Sequence, residues 1–296
     1  MHAQEPQSHR MALLIGNDPE IEQTLHTLLE PHGWSVSLAS DNVSAMERIK
    51  LQNFDLIITG SHSSGAEDVE LLRKMRRFHA NTRMIIVTDE STPKDVIEAM
   101  KERAFSYFAK PFSLEHLEDI IHMAVDGPCW DDGIEVLAAT PDWIDLLVRC
   151  DANTADRLMQ FLREISDLPD KESQEAGTAF REILLNAMEH GGRFDPQHYV
   201  EISYVRTRKM VTCRVKDPGQ GFSLNELRHS AIANPPGDPL RHAVVREQQG
   251  LRPGGYGVLL ARHLVDELLY NEQGNEVMLV KYLDQPRPWT GSAQSL

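Results

Sequence analysis

The sequence predicts two domains of different class, an α/β domain followed by an α+β domain. From about residue 11 to 125, apolar strand-like runs alternate with amphipathic helical patterns, which is the order of a parallel sheet covered by helices on both faces. From residue 134 onward, helical patterns are mixed with neighbouring strand patterns, which favours an antiparallel sheet with helices packed on it. The 296 residues are enough for two domains of ordinary size.

The first half contains five strand-like runs and five helical patterns. The runs are MALLIG, SVSLAS, DLIITG, MIIVTD and the weaker FSYFAK. The helical patterns are EIEQTLHTLLEPHG, VSAMERIKLQ, DVELLRKMRRFH, TPKDVIEAMKER and SLEHLEDIIHMAV, and Ser113 is the expected N-cap of the last one. The segment DGPCWDDG, residues 126–133, breaks the alternation and predicts the linker between the domains.

The second half predicts three helices and several strands. GIEVLAATPDWIDLLVRC, HYVEISYVRTRKMVTCRVKD and NEVMLVKYL have the patterns of strands. NTADRLMQFLREI, TAFREILLNAMEHG and YGVLLARHLVDEL have the patterns of helices. Residues 285–296 are expected to form a loose tail.

Composition narrows the class of protein. The net charge of -15 argues against direct nucleic-acid binding, because phosphate backbones require a basic surface. The sequence has no apolar run long enough to span a bilayer, and its first residues lack a signal-peptide pattern, so we expect a cytoplasmic protein without membrane contact. Cys129, Cys150 and Cys213 are widely spaced and odd in number, which favours reduced thiols.

A polar stripe lies on one predicted helix, REILLNAMEHGG, residues 181–192. Glu182, Asn186 and His190 recur every four residues among apolar side chains and therefore share one face. Glu189 lies beside them, and the pair Gly191-Gly192 predicts a glycine C-cap. A stripe of this kind is either a satisfied hydrogen-bond network or the wall of a functional site.

Two glycine-rich stretches follow the helix. VKDPGQGF places an aspartate at a strand end before a turn, where it can accept a hydrogen bond from a ligand amine. RPGGYGVLLARHL places glycines before a helix, where free N–H groups and the helix dipole favour phosphate. Each stretch alone is also typical of an ordinary turn, so the prediction depends on the order and spacing of all three motifs.

That order resembles the ATP-binding domain of gyrase, Hsp90, histidine kinases and MutL, the Bergerat fold or histidine-kinase-like ATPase fold. The resemblance covers residues 134–284 and implies an α+β two-layer sandwich. It is closer to one branch, the anti-sigma-factor serine kinases, because EILLNAMEHG, VKDPGQGF, GYGVLLARHLVDEL and GNEVMLVKYL are similar to the sequence blocks of that branch.

The resemblance implies roles for three polar residues. Asn186 would hold the Mg²⁺ that bridges the phosphates of ATP. Glu182, one helical turn earlier, would be the catalytic base that takes the proton from an attacking hydroxyl. Asp217 would bind the adenine amino group. These roles suit phosphoryl transfer, which requires mainly positioning and neutralisation of charge.

The resemblance also implies roles for glycines and one asparagine. Gly219 and Gly221 would let the backbone pass close to the base. Gly255 and Gly257 would cradle the phosphates at the start of the last helix. Asn275 would lie near the phosphates.

Four further residues have weaker assignments. Glu189 and His190 can line the site, and for His190 a structural role is the preferred interpretation. The segment between Phe222 and Gly254 resembles the mobile ATP lid of these domains. Its Arg241 and Arg246 are either phosphate contacts or solvated side chains.

The first half resembles a response-regulator receiver domain, which has a flavodoxin-like (βα)5 fold, over residues 11–125. The resemblance depends on the alternating pattern, on Thr88 after MIIV, on Lys110 before Pro111 in AKPF, and on Tyr107 at the position of the switch aromatic.

The phosphorylation chemistry of that family is missing. The acidic pair after the first strand is reduced to Asp18, because Gly16 and Asn17 precede it, and Gly60 ends the third strand where the phosphate-accepting aspartate would be. Neighbouring serines cannot form an acyl phosphate, and Mg²⁺ binding is doubtful without the carboxylates. Asp18 is expected to be a solvated acid at a helix start. We therefore predict a pseudo-receiver that docks or dimerises.

These resemblances imply a bacterial signalling protein that binds ATP and Mg²⁺. It would phosphorylate a serine or threonine of a STAS-type anti-sigma-factor antagonist, with a sigma factor as a further partner and a homodimer as a possible assembly. Two alternatives remain open: a nucleotide-gated binding module without kinase turnover, and an atypical response regulator with an ATPase output domain. A histidine autokinase is disfavoured because the helix at 153–166 has no histidine.

Overall fold

A computed structural model of the chain describes residues 10–60, 63–127, 133–166, 168–221, 238, 241–248 and 255–283. The chain divides into two compact units; the second begins at Gly133, and Gln160–Ile165 groups with the first. Each unit contains one sheet among these residues. The predicted tail, and most of the predicted linker and lid, lie outside the described residues.

The sheet of the first unit is parallel, in the strand order β2-β1-β3-β4-β5. Its strands are β1 (Met11–Ile15), β2 (Ser35–Ala39), β3 (Leu56–Thr59), β4 (Arg83–Thr88) and β5 (Ser106–Ala109). Every residue of β3 is buried, as expected for an inner strand with helices on both faces. The order is that of a flavodoxin-like sheet, so the predicted α/β class is confirmed.

Four helices connect these strands and a fifth follows β5, and all five carry the N-caps that the sequence encodes. They are α1 (Pro19–Leu29), α2 (Asn42–Leu51), α3 (Gly65–Arg76), α4 (Pro93–Lys101) and α5 (Leu114–Asp126). Ser113 caps α5, as predicted, by accepting the N–H of His116 at 3.4 Å. The apolar face of α5, including Leu117 and Ile121, packs into a core with strand residues such as Ile58.

The sheet of the second unit is antiparallel, in the order β10-β11-β9-β8-β7-β6. Its strands are β6 (Ile134–Thr140), β7 (Trp143–Arg149), β8 (Tyr199–Arg206), β9 (Met210–Lys216), β10 (Glu267–Tyr270) and β11 (Glu276–Tyr282). The sheet has one buried face because apolar residues alternate along its strands; in β8, Val200, Ile202 and Tyr204 are buried. The predicted α+β class agrees with this sheet.

The described residues from 133 onward contain four α-helices, and one of them continues into an unusual turn. They are α6 (Ala152–Ser166), α7 (Asp170–Asn186), α8 (Arg241–Gln248) and α9 (Gly257–Leu264). Helix α7 packs against α9 and against β9 and β11. It continues into a π turn, Ala187–Gly191, in which the N–H of Gly192 donates to the carbonyl oxygen of Ala187 at 2.9 Å.

One lysine ties both of these helices to the sheet. Lys281 lies on the inner side of β11, and its Nζ is 2.7 Å from Oε2 of Glu175 in α7. The same Nζ donates to the carbonyl oxygen of Leu264, the last residue of α9, at 3.0 Å. The ammonium group therefore joins β11 to α7 and α9.

Two elements differ from the prediction. The last helix stops at Leu264, and the continuation joins the sheet as β10, with the N–H of Asp266 donating to Val280 at 3.0 Å. Strand pairing with β11 satisfies this backbone, which a helical pattern in the sequence cannot reveal. Helix α8 lies within the segment that resembles an ATP lid and is not among the three helices that the sequence predicts for the second half.

The glycine pair after α7 ends the helix without the left-handed conformation that a glycine C-cap uses. Gly192 is the capping residue, but its φ is −93°. Positive φ angles instead occur at Arg193 and Phe194. The two glycines must therefore be needed for another reason, which is the close approach of neighbouring groups.

Among the described residues, no helix combines the length and the apolar content that crossing a membrane requires.

Candidate functional site

Helix α7 presents Glu182 and Asn186 one turn apart, on the side that faces the start of α9. The opposite side of the helix is buried through Ile183 and Leu184, which fixes its rotation. A Cβ atom added to Gly257 would lie 2.5 Å from Oε2 of Glu182 and 3.3 Å from Nδ2 of Asn186. The first residue of α9 thus passes directly over both polar groups, and a side chain there would displace the Glu182 carboxylate from its place.

The amide of Asn186 has unused hydrogen-bonding capacity. Its Nδ2 is buried and has no hydrogen-bond partner among the described residues. Buried polar groups are normally paired, so an orphaned amide beside a glycine-rich helix start is a mark of a ligand site. Rotating the amide by half a turn would present its oxygen, which is a suitable ligand for Mg²⁺.

Asp217 lies at the end of β9 and is half-buried. Its Oδ1 accepts the N–H of Gly219 at 2.8 Å, which fixes the carboxylate within its own turn. Burial raises the pKa of Asp217, and the hydrogen bond from Gly219 and the charge of nearby His190 act in the opposite direction. The carboxylate is therefore partly withdrawn from water, as a group must be to recognise a ligand amine.

Glycine backbones enclose this carboxylate on two sides. A Cβ atom added to Gly191 would overlap Oδ1, Cγ and Cβ of Asp217. One added to Gly219 would lie 2.8 Å from the same Oδ1 and 2.9 Å from Cα of Gly191. The end of α7 and the end of β9 thus meet at closest packing distance around Asp217.

The turn between β10 and β11 supports the Asp217–Gly221 segment. The N–H of Asp217 donates to the carbonyl oxygen of Asn275 at 2.9 Å, and Nδ2 of Asn275 donates to that of Gly219 at 3.4 Å. Gly221 has a φ of 79°, and a Cβ there would overlap the carbonyl oxygen of Gln273. Asn275 is thus placed at the predicted base-binding turn, and its contact with phosphate stays a prediction.

The remaining predicted residues are less closely involved. Gly255 has a φ of 94° just before α9, which suits a glycine-rich loop. Glu189 is half-buried, and His190 is exposed but close enough to Asp217 to influence its pKa. Arg241 is exposed at the start of α8, while the side chain of Arg246 lies outside the described residues.

The residues present fit ATP with Mg²⁺. One group, formed by Glu182, Asn186 and Gly257, combines a carboxylate, a buried amide and a helix start without a side chain. The other group, formed by Asp217 and Gly219, offers a carboxylate oxygen and a glycine backbone that no side chain covers. Both groups border the C-terminal part of α7, which is the arrangement that the sequence motifs predict.

Sequence reasoning missed two neighbours of Asp217. Cys150 is fully buried against Gly192, and burial together with the nearby charge of Asp217 raises the pKa of its thiol to about 11. Tyr270 of β10 is close enough for Asp217 to add to the effect of burial, which raises the pKa of its hydroxyl to about 12. No sequence pattern links these residues, because they meet only through the sheet.

In the first unit, the positions where a receiver domain carries phosphate chemistry are filled differently. Nζ of Lys110 is 2.6 Å from Oδ2 of Asp18, and Oδ1 of Asp18 accepts the N–H of Ile21 at 3.2 Å. Asp18 is a helix-start acid, as predicted, but it is buried and not solvated. Gly60 offers no side chain beside this pair.

Two other residues of the receiver pattern have structural contacts. Thr88 is buried, and its Oγ1 lies 3.0 Å from the carbonyl oxygen of Glu90 and accepts the N–H of that residue at 3.3 Å. Tyr107 is fully buried, and its hydroxyl fills the space that a side chain at Gly65 would need. Burial raises the pKa of this hydroxyl.

Comparison with known proteins assigns both units. A family model described as a histidine kinase-like ATPase domain matches residues 149–281, and one described as a response regulator receiver domain matches residues 12–122.

Individual relatives match a limited part of the chain. It is 26% identical over 106 residues to the transcriptional regulatory protein ZraR of Klebsiella oxytoca and 30% identical over 105 residues to the nisin biosynthesis regulatory protein NisR of Lactococcus lactis subsp. lactis. Each match covers 36% of this chain, but only 24% of ZraR and 45% of NisR, so the chain spans about a quarter of the first and under half of the second.

A solved response regulator from Thermotoga maritima is 19% identical, with a TM-score of 0.35 over 40% of this chain and 100% of that chain.

The two family matches fall on the two units described above, and the chain thus joins a response regulator receiver domain to a histidine kinase-like ATPase domain.

Proposed function

We propose that the ATPase domain binds ATP with Mg²⁺ and transfers the γ-phosphoryl group to a serine or threonine of a STAS-type anti-sigma-factor antagonist. The observation that supports transfer most directly is the position of the Glu182 carboxylate, one helical turn from Asn186 and against the first residue of α9. A carboxylate in that place can accept the proton of a hydroxyl that approaches the phosphates. The sequence blocks shared with anti-sigma-factor serine kinases support the class of substrate.

The proposed reaction needs little covalent chemistry from the protein. The substrate hydroxyl oxygen forms a bond to the γ-phosphorus, the bond to the β–γ bridging oxygen breaks, and ADP leaves with that electron pair. Glu182 receives the hydroxyl proton, Asn186 holds the metal ion, and Asp217 orients the base. Bound Mg²⁺ would neutralise charge on the phosphates.

The receiver domain would regulate or localise the kinase by protein contact, without being phosphorylated. Gly60 supports this proposal because it supplies no carboxylate, and the Lys110–Asp18 ion pair occupies the two charges that remain. A sigma factor as an alternative partner and a homodimer are part of the same proposal, by analogy with the anti-sigma-factor serine kinases.

Calorimetry tests the nucleotide site before any partner is known. We expect Mg-dependent ATP binding by the full chain, lost in Asn186→Ala and strongly weakened in Asp217→Asn. Transfer is then measured with labelled ATP and a panel of STAS proteins. Glu182→Gln should bind ATP normally and lose transfer. Glu172→Gln, at a position near the start of the same helix, should keep both ATP binding and transfer at wild-type levels. Transfer at the wild-type rate by Glu182→Gln would remove Glu182 from the role of base.

A second function, an atypical response regulator with an ATPase output, is favoured by the receiver match itself. In that case ATP binding would change which protein docks, with no phosphoryl transfer. The second proposal is supported if the wild-type protein binds ATP tightly but labels no STAS protein. It also requires that Glu182→Gln leave partner binding unchanged.

A further inference from the structure

We propose that Gly191 is a positioning residue for base selection: by lacking a side chain, it lets the Asp217 carboxylate take the one orientation that accepts an amino group. This inference depends on the proposed function, in which Asp217 contacts adenine. It assigns a role to a glycine that the sequence pattern indicated only as the end of a helix.

The side chain of Asp217 fills the space beside Gly191. Three atoms of Asp217, namely Oδ1, Cγ and Cβ, occupy the volume that a Cβ atom at Gly191 would need. All of the nearest obstructions belong to Asp217, so a methyl group there has no way to fit except by moving that side chain. The φ angle of Gly191 is not positive, so its lack of a Cβ serves packing and not backbone conformation.

The neighbouring backbone also fixes the orientation of the Asp217 carboxylate. Oδ1 of Asp217 is engaged by the N–H of Gly219 at 2.8 Å, and Gly219 itself lies against Cα of Gly191. Within the described part of the chain, Oδ2 is paired with no protein donor. The two glycine backbones therefore hold the carboxylate so that one oxygen is used internally and the other is available to a ligand.

The π turn at the end of α7 brings Gly191 to Asp217. The π turn at Ala187–Gly191 adds a residue to the last turn of α7, which changes the direction in which Gly191 faces. Asn186, just before the turn, belongs to the site with Gly257, whereas Gly191, at its end, contacts Asp217. One helix thereby contributes to both ends of the proposed nucleotide site.

The chemical consequence is selection for a purine with an amino group at position 6. Adenine offers a donor there, whereas hypoxanthine offers a carbonyl oxygen, which a carboxylate repels. A hydrogen bond to a charged group corresponds to roughly tenfold or more in affinity. We expect the wild-type chain to bind ATP at least about tenfold more tightly than inosine triphosphate.

The experiment measures dissociation constants of the full chain for ATP and inosine triphosphate in the presence of Mg²⁺. Gly191→Ala should weaken ATP binding by about tenfold and change inosine triphosphate binding by less than about twofold, so that the preference disappears as it does in Asp217→Asn. Gly177→Ala, in the same helix with only the methyl group of Met159 nearby at 3.7 Å, should keep the wild-type preference.

A second pair of variants tests the inference if Gly191→Ala folds poorly. Asp217→Gly removes all three atoms that the new methyl group would meet, so Gly191→Ala should have no further effect on either affinity in that background. The inference is overturned if folded Gly191→Ala keeps the preference for ATP, or if it weakens binding further in the Asp217→Gly background. A wild-type chain without any preference would instead refute the adenine contact of the proposed function, and this inference with it.

Discussion

Nζ of Lys110 lies 2.6 Å from Oδ2 of Asp18 and 3.9 Å from Oδ1 of the exposed Asp89, and Gly60 contributes no carboxylate to this group. The lysine thus neutralises the acid that remains in the receiver domain. The carboxylate is about nine-tenths buried, whereas a third of the lysine side chain is exposed, so the pair is shielded from water on one side. Two predictions follow from this arrangement.

The first prediction concerns stability. Lys110→Met removes the ion pair between Lys110 and the buried Asp18 carboxylate, and we expect the free energy of unfolding to fall by about 1–3 kcal/mol. Urea denaturation monitored by circular dichroism measures the change. Lys101→Met is the matched control because Lys101 pairs at 3.0 Å with Glu98 on an exposed helix face, and its loss should cost less than about 1 kcal/mol. Equal costs for both variants would contradict a buried pair.

The second prediction concerns phosphorylation of the receiver domain. Incubation with acetyl phosphate and Mg²⁺ should leave the intact mass of the full chain unchanged, because Gly60 cannot form an acyl phosphate. A receiver domain with the usual aspartate serves as a positive control for the reagent. A mass increase of one phosphoryl group would show that another residue accepts phosphate and that the domain is a switch after all.

The third prediction concerns pH. Burial raises the pKa of Asp217 in the folded chain, so the native state binds this proton more tightly than the unfolded state does. The group therefore favours folding fully below its unfolded pKa of about 3.9, and this contribution is lost as the pH rises through the folded pKa.

Asp217→Asn, which keeps an acceptor for the N–H of Gly219, should consequently raise the melting temperature near pH 7. The gain should shrink as the pH is lowered toward about 4. Thermal denaturation over this range measures it, and Asp119→Asn, at an exposed position of α5, should show no such trend. A gain that does not depend on pH would mean that the carboxylate charge is not its cause.

The fourth prediction concerns the other end of the site. Gly257→Ala adds a methyl group 2.5 Å from Oε2 of Glu182, so the Glu182 carboxylate must move away from the start of α9. We expect ATP affinity to fall by about tenfold or more. Gly177→Ala meets only Met159 at 3.7 Å and should stabilise α7 by about 0.5–1 kcal/mol through helix propensity. Unchanged ATP affinity in Gly257→Ala would place the phosphates elsewhere.

The sequence was sufficient for some features because they depend on local patterns. The five parallel strands follow from their apolar runs, and the cap at Ser113 follows from its hydroxyl before an amphipathic helix. Glu182 and Asn186 share a helix face by simple periodicity, and the structure brings Gly257 to them.

Other features depend on contacts between distant parts of the chain. Strand β10 continues a helical sequence pattern, but pairing with β11 decides its conformation. The position of Asn275 beside Gly219 results from the turn between these strands, and the closeness of Gly191 to Asp217 results from packing of α7 on the sheet. No spacing in the sequence encodes a distance between two such backbones.

The π turn at the end of α7 also limits how this gene can change in length. An α-helical turn would form over Ala187–Gly191 if a single residue were deleted there, and every residue after the deletion would rotate relative to Asn186. Substitutions at exposed positions of the turn leave its register intact, whereas a one-codon deletion separates the part that meets Gly257 from the part that meets Asp217. Functional variants should therefore tolerate amino-acid substitutions at the exposed positions of this turn far better than insertions or deletions.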